Sequence, residues 1–336
     1  MDKEISASIN GIRGAAAIYI MLGHYFHSLI PKPYGEILGF GQEVVVVFFM
    51  MSGFLCYYSW WKKQTNIGRY VYRKAIRIYP LYLICIALSV LSTFTLKGNF
   101  NDIDLPTLVG NILNLQDNSL KPGSWFKIIG GNMVLWYMSY QWWFYVLFIV
   151  VAKHLIAVRK RWEIVVYIIS LCSMIVYALI PNHASIVIWY FWIFAVACYM
   201  ARCYVEKRNI SWWAPTSVLL MIGIWFVING ASTTWTTIGM HPFLEARHFS
   251  MVVVILFAYY IMKKYRIRSL PIISKFEIFA PYSFSIYIFQ MPVLYFVRSI
   301  VDNTWMASII ALPLNMLLSY LLEVKLAPLL IKRLPN

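Results

Sequence analysis

The chain has 336 residues, of which 61% are hydrophobic and only 12% charged, about half the charged share of an ordinary soluble domain. That balance excludes a soluble globular enzyme and a disordered chain. The formal net charge of +16 invites a nucleic-acid reading, and the positions of the charges, taken up below, exclude it.

Apolar runs of about 20 residues are long enough to cross a hydrocarbon core. They predict ten spans at 9–30, 37–60, 78–96, 132–152, 162–180, 185–203, 211–229, 247–262, 276–300 and 304–322. The eighth is short, and Pro281 and Pro292 interrupt the ninth. The start, MDKEISAS, is acidic as well as basic, and no small-residue cleavage site follows the first apolar run. No cleavable signal peptide is therefore expected. The expected architecture is all-α: a polytopic membrane bundle of about ten transmembrane helices, forming one membrane-embedded domain over 1–336 with no appended soluble domain.

The first span carries Arg13 and His24. An ionisable residue inside a span is costly and marks a candidate functional site. Eleven residues at about 100° each bring the two to within roughly 20° on one helix face, about 16 Å apart along the axis. His24 reads as a general base, or as a histidine hydrogen-bonded within the bundle. Arg13 reads as an interfacial anchor that snorkels to headgroups, or as a ligand for the phosphate or carbonyl of a cytoplasmic donor. His27 lies on nearly the same face, but no third ligand accompanies the pair, so no metal site is expected.

The second span contains FFMMSGFL at 48–55, with Ser52 and Gly53 as a small polar pair. Such a pair fits close helix packing, and Ser52 lacks the G-x-S-x-G context of a nucleophile elbow. Next come Arg69, Arg73 and Arg77, each four residues apart, which form a stripe on a helix. The stripe suits a nucleotide phosphate, or equally lipid headgroups. Pro80 is expected to break this helix from the third span.

Residues 97–131 make a long outer loop, with Asp102, Asp104, Asp117, Pro106, Pro122 and Gly130-Gly131. Its length points to a lid or binding loop. Trp125 and Trp235 in the outer loops suit interfacial anchoring or sugar stacking. Cys56, Cys85, Cys172, Cys198 and Cys203 fall in or at the ends of spans without paired spacing, so they read as packing residues.

The charges alternate from loop to loop. Lys62, Lys63, Arg69, Arg73, Lys74 and Arg77 follow span two, and Lys153, Arg159, Lys160 and Arg161 follow span four. Arg202, Lys207 and Arg208 follow span six, and Lys263, Lys264, Arg266, Arg268 and Lys275 follow span eight. Lys325, Lys332 and Arg333 follow span ten. These are 21 of the 29 basic residues. This is the positive-inside pattern, with both termini cytoplasmic. The basic excess reports topology, and no nucleic-acid partner is expected.

The order of these pieces is more specific than any one of them. Asn10-Gly11-Ile12-Arg13-Gly14, then His24, then FFMMSGFL, then RKAIRIYP at 73–80 with Leu81-Tyr82, resembles the acyltransferase-3 family of bacterial inner-membrane acyltransferases. The resemblance is good over 9–83 and weaker at 136–145 (WYMSYQWWFY) and 282–292 (YSFSIYIFQMP). It implies a ten-helix core in the bacterial inner membrane and O-acetylation of a surface glycan such as O-antigen or capsule, a lipopolysaccharide-type modification. The implied donor is cytoplasmic acetyl-CoA, with no metal. The implied acceptor is a glycan or lipid-linked polysaccharide, and membrane lipids surround the bundle. Carried over by position, His24 is the essential histidine and Arg13 its basic partner. Ser52 and Gly53 form the second-span motif, and Arg69, Arg73 and Arg77 lie on the donor side.

Three positions depart from the family pattern. Val46 stands where many members have a carboxylate, with Glu43 one turn earlier. Gln141 stands where many have a glutamate, and Gln290 where many have a histidine. Glutamine hydrogen-bonds but is no base at neutral pH, so acid–base work falls to His24, with Ser52, Gln141 or Gln290 to stabilise an oxyanion. The competing class is a secondary transporter or a flippase of a lipid-linked glycan. Against it, the second half does not repeat the first-half motifs, and the spans hold almost no carboxylates.

Overall fold

The computed structural model describes residues 3–63, 67–99, 103–156, 161–230, 239–265, 267 and 271–332. Of the residues singled out above, Asp102, Arg159, Lys160, Trp235, Arg266, Arg268 and Arg333 lie outside this set, as do the side chains of Lys63 and Lys332.

Among the described residues there is no strand, and ten helices follow the ten predicted spans in order. They are α1 (Lys3–Phe26), α2 (Gly41–Lys63), α3 (Ile67–Lys97), then after a short α4 (Leu105–Ile112), α5 (Trp136–Val151), α6 (Trp162–Leu179), α7 (His183–Val205), α8 (Trp213–Asn229) and α9 (Phe243–Lys264). A single turn, α10 (Pro271–Ser274), and a 3-10 stretch at Lys275–Tyr282 lead to α11 (Ser283–Arg298) and α12 (Thr304–Tyr320), with α13 (Ala327–Lys332) after them. Eight of the ten are long and apolar enough to cross a membrane, while α8 and α11 have 17 and 16 residues. On α6, Ile164, Val165, Ile168, Ile169, Ile175, Val176 and Leu179 form one exposed apolar stripe. Water would penalise that face and lipid satisfies it. The protein is a multi-pass helical membrane bundle.

Polar caps set several helix starts. Asp104 accepts from the Thr107 amide at 2.6 Å, Asn182 from Ser185 at 2.9 Å and Asn303 from Met306 at 3.0 Å. Two elements differ from expectation. The helix α3 is continuous over 31 residues with Pro80 inside it, so the break expected there is absent. Proline removes one backbone bond, to residue 76, and neighbouring helices make that loss tolerable. The helix α9 begins four residues before the predicted span, because Glu245, Arg247 and His248, which interrupt the hydropathy, are paired inside the bundle. Glu245 faces His241 Nδ1 at 3.1 Å, Arg247 pairs with Glu43, and Tyr190 and His248 share a 2.8 Å hydrogen bond.

The bundle centres on α7, which is apolar and buried almost all round. It packs against α2, α5 and α6. Gly53 is where α2 closes on α7. A Cβ there would sit 2.3 Å from the Phe194 carbonyl oxygen, so only glycine permits the approach. Gly14 does the same for α1, with the Phe276 carbonyl oxygen 2.1 Å from its would-be Cβ.

The outer loop is a packed plug rather than a free lid. Asn111, Asn114, Gln116, Asp117, Asn118 and Lys121 are all buried within it. Lys121 enters a ring of aromatics, with Nζ 4.4, 4.5 and 4.7 Å from the ring centroids of Trp136, Tyr140 and Tyr190. Tyr140 donates to Asp117 Oδ2 at 2.6 Å, and His183 Nδ1 lies 3.4 Å from the same oxygen. His183 Nε2 is 2.8 Å from Ser139 Oγ, which donates to the Asn114 carbonyl. Burial pushes the Asp117 carboxyl up, but Lys121, His183 and Tyr140 outweigh it and hold the pKa below the ordinary value. Burial pushes Lys121 down, against the pull of Asp117 and Glu245. The network ties the loop to α5 and α7.

Candidate active site

A cavity of about 450 Å³ opens between five helices. Helical periodicity explains its lining. From α2 come Phe48, Met51, Ser52, Leu55, Tyr58, Ser59 and Lys62, spaced three or four apart on one face. Tyr137, Met138, Gln141 and Tyr145 do the same on α5. Lys74, Arg77 and Ile78 come from α3, Ser283, Phe284 and Tyr287 from α11, and Arg13 from α1.

The cavity is polarised along its length. Lys62, at the end of α2, and Arg77, on α3, are its exposed cations and mark its mouth. Lys74 sits over the Tyr145 ring at 4.3 Å. With Arg13 these make four cations, and no Asp or Glu is among the lining residues. Arg13 lies near enough to Arg77 and Glu323 to feel both charges. Glu323 stands behind the lining, in a π-helical turn at Leu321–Leu326, and accepts from the Ser285 amide at 2.9 Å.

The inner end is aromatic and amide-bearing. Tyr137 donates to Gln141 Oε1 at 2.9 Å, and the Ser52 side chain hydrogen-bonds Tyr137. Gln141 Nε2 is buried and has no partner. The carbonyl end is taken by Tyr137, and the NH2 end keeps its capacity to donate.

The sequence candidates divide. Arg13, Ser52, Arg77 and Gln141 meet in this one cavity. Arg69 and Arg73 are exposed and do not line it. Steps of four residues advance a helical stripe by about 40° each, so Arg69 is roughly 80° from Arg77, and Lys74 faces the cavity instead. Gly53 is taken up by the α2–α7 contact. Glu43 is buried and ion-paired with Arg247, which joins α2 to α9. Val46, at the departed carboxylate position, is core.

His24 and Gln290 lie beyond the inner end. The Tyr25 hydroxyl donates to the Gln290 carbonyl at 2.9 Å, which sets α1 and α11 in register at this level. Tyr287 is three residues, about 4.5 Å, nearer the mouth. The His24 side chain is exposed. No hydrogen bond or ion pair to it occurs among the described residues. Gln290 donates from Nε2 to the Tyr287 carbonyl at 2.8 Å, and its Oε1 is unpartnered. His27 lies 3.8 Å from Glu36, and no cluster of three or more metal-ligating side chains occurs among the described residues.

Sequence reasoning did not assign Lys62, Lys74, Tyr137, Tyr287 or Glu323 to a site. The two lysines were legible only as topology signals. Tyr137 stands four residues before Gln141, a helical neighbour that a face-by-face reading of α5 brings out. Glu323 had only its rarity in an apolar run as a signal.

No curated protein and no solved structure matches the chain. The acyltransferase domain family, acyltransferase-3, matches residues 6–324, nearly the whole length. The chain therefore belongs to the acyltransferase-3 family and is a membrane acyltransferase.

Proposed function

We propose that the protein transfers an acetyl group from acetyl-CoA to a hydroxyl of a cell-surface glycan. The observation that carries this reading is the cavity, with four cations, no lining carboxylate and an aromatic inner end. A nucleotide polyphosphate with a long uncharged thioester arm matches that polarity. In this reading Lys62, Lys74 and Arg77 hold phosphates at a cytoplasmic mouth. Arg13 steadies the arm, and the thioester lies near Ser52, Tyr137 and Gln141. Positive-inside charge places both termini on the donor side and the plugged outer loop on the acceptor side. A bacterial inner membrane fits that arrangement, as does a single membrane domain.

The transfer breaks the thioester C–S bond and forms a C–O bond to the acceptor. His24 takes the proton of the attacking hydroxyl, the Gln141 NH2 group donates to the developing oxyanion, and the CoA thiolate leaves and regains a proton. Transfer through an acetyl-His24 intermediate uses the same residues in two steps. Either route requires His24 and the acceptor hydroxyl to meet the acetyl group at the aromatic inner end of the cavity.

The direct test is binding. Acetyl-CoA should bind the purified protein, and Arg77→Ala should weaken it by roughly tenfold or more. Equal affinity for acetyl-CoA and for phosphate-free acetyl-pantetheine would overturn the donor assignment.

A further inference from the structure

The inner end of the cavity is closed by three rings from three helices. Phe48 of α2, Tyr137 of α5 and Tyr287 of α11 all line it. Phe48 and Tyr137 are 6.0 Å apart between centroids, Phe48 and Tyr287 5.9 Å, and Tyr137 and Tyr287 5.1 Å at 72°. The three rings thus meet one another on the side of the cavity that faces the level of Tyr25 and Gln290.

The three rings are not equally fixed. Tyr287 donates to the Val134 carbonyl at 2.9 Å, and Tyr137 donates to Gln141 and stacks on Phe49 at 5.0 Å and 26°. Phe48 is held by apolar packing, and its removal opens the wall without breaking a hydrogen bond.

Taking the cavity as the acyl-donor site, as proposed above, we infer that the Phe48–Tyr137–Tyr287 wall determines acyl-chain length. The cations at the mouth fix the phosphate end of the donor. The length of its arm then carries the acyl tip inward until it meets these rings. A two-carbon acyl group fits beneath them. A longer chain must displace the hydrogen-bonded Tyr137 or Tyr287, or push Phe48 into packed neighbours. Phe48 is thus a specificity-determining residue, and acetyl selectivity comes from the wall rather than from the cations.

The test compares acetyl-, butyryl- and hexanoyl-CoA as donors, following CoA thiol release with membranes bearing wild type, Phe48→Ala or Phe48→Trp. Wild type should favour acetyl strongly. Phe48→Ala should raise the hexanoyl-to-acetyl ratio at least tenfold, in line with discrimination by apolar pockets. Phe48→Trp should lower the butyryl-to-acetyl ratio. Should Phe48→Ala not accumulate in the membrane, Phe48→Leu provides the same comparison with most of the volume kept. A chain-length profile unchanged in variants that fold overturns the inference, as does wild type that uses hexanoyl as well as acetyl. Wild type that uses no acyl-CoA at all overturns the donor reading itself, and the wall assignment with it.

Discussion

Tyr137 and Gln141, one turn apart on α5, share a 2.9 Å hydrogen bond in which the phenol donates and the amide oxygen accepts. That bond uses the amide oxygen and leaves the buried NH2 group of this cavity-lining residue without a hydrogen-bond partner among the described residues. Gln141→Ala should therefore lower kcat by about 10²- to 10³-fold, the usual cost of one oxyanion donor, with KM for the donor little changed. Tyr137→Phe, which frees the amide to rotate, should give a smaller loss of the same kind. Steady-state CoA release measures both. A change confined to KM would show that Gln141 binds the donor but does not act on the reacting carbonyl.

The arginines of α3 should separate in function. Arg77→Ala and Arg13→Ala each remove a cation at the cavity and should raise KM for acetyl-CoA by roughly 10- to 100-fold. Arg69→Ala and Arg73→Ala, exposed and away from the lining, should change it less than threefold. Kinetics at low and high ionic strength checks the difference, because phosphate contacts at the mouth weaken with salt. Equal effects for Arg69 and Arg77 would move the phosphate site off the cavity.

The fold was legible because its physics is repetitive. Apolar runs and charge alternation give the ten helices in order, and the errors arise from tertiary contacts. Pro80 does not break α3, because neighbours support the helix. The start of α9 was hidden because Glu43 and Tyr190, distant in sequence, supply the partners of Arg247 and His248. The site was legible where one helix carries the information, as with Arg13 and Ser52. It was not legible where several helices must converge. Nothing in the local sequence says that Lys74 rather than Arg73 faces Tyr145, or that Tyr287 and Phe48 meet. The same convergence places His24 one level beyond the cavity rather than in its lining.

Glu43 gives a stability prediction rather than a catalytic one. Its carboxylate is almost wholly buried and faces Arg247, which is partly exposed. Glu43→Gln should destabilise by about 2 kcal/mol, the scale of a hydrogen bond to a charged group, and lower the midpoint of thermal unfolding in detergent. Activity per folded molecule should stay within about twofold of wild type. A large kcat loss at unchanged stability would instead give Glu43 a role in transfer.

Acid should loosen the outer loop. The Asp117 pKa is depressed in the folded protein, so its ionised form contributes stability above the unfolded value near 3.9 and loses it as pH falls through the folded value. Hydrogen exchange of residues 114–128 should rise below about pH 4 and stay low from pH 5 to 7. Asp117→Asn should exchange faster at pH 6 and lose that dependence. Exchange in wild type that is flat down to pH 3 would remove Asp117 as the anchor.

The central claim is acyl transfer through the first span, and one measurement tests it most directly. Membranes bearing wild type or His24→Ala are given radiolabelled acetyl-CoA, and label is counted in surface polysaccharide, with the amount of folded protein matched. The account predicts label in glycan with wild type and none above background with His24→Ala. Full labelling with His24→Ala would contradict the role of His24. No labelling with either form would contradict acetyl transfer to glycan and return weight to transport of a lipid-linked glycan.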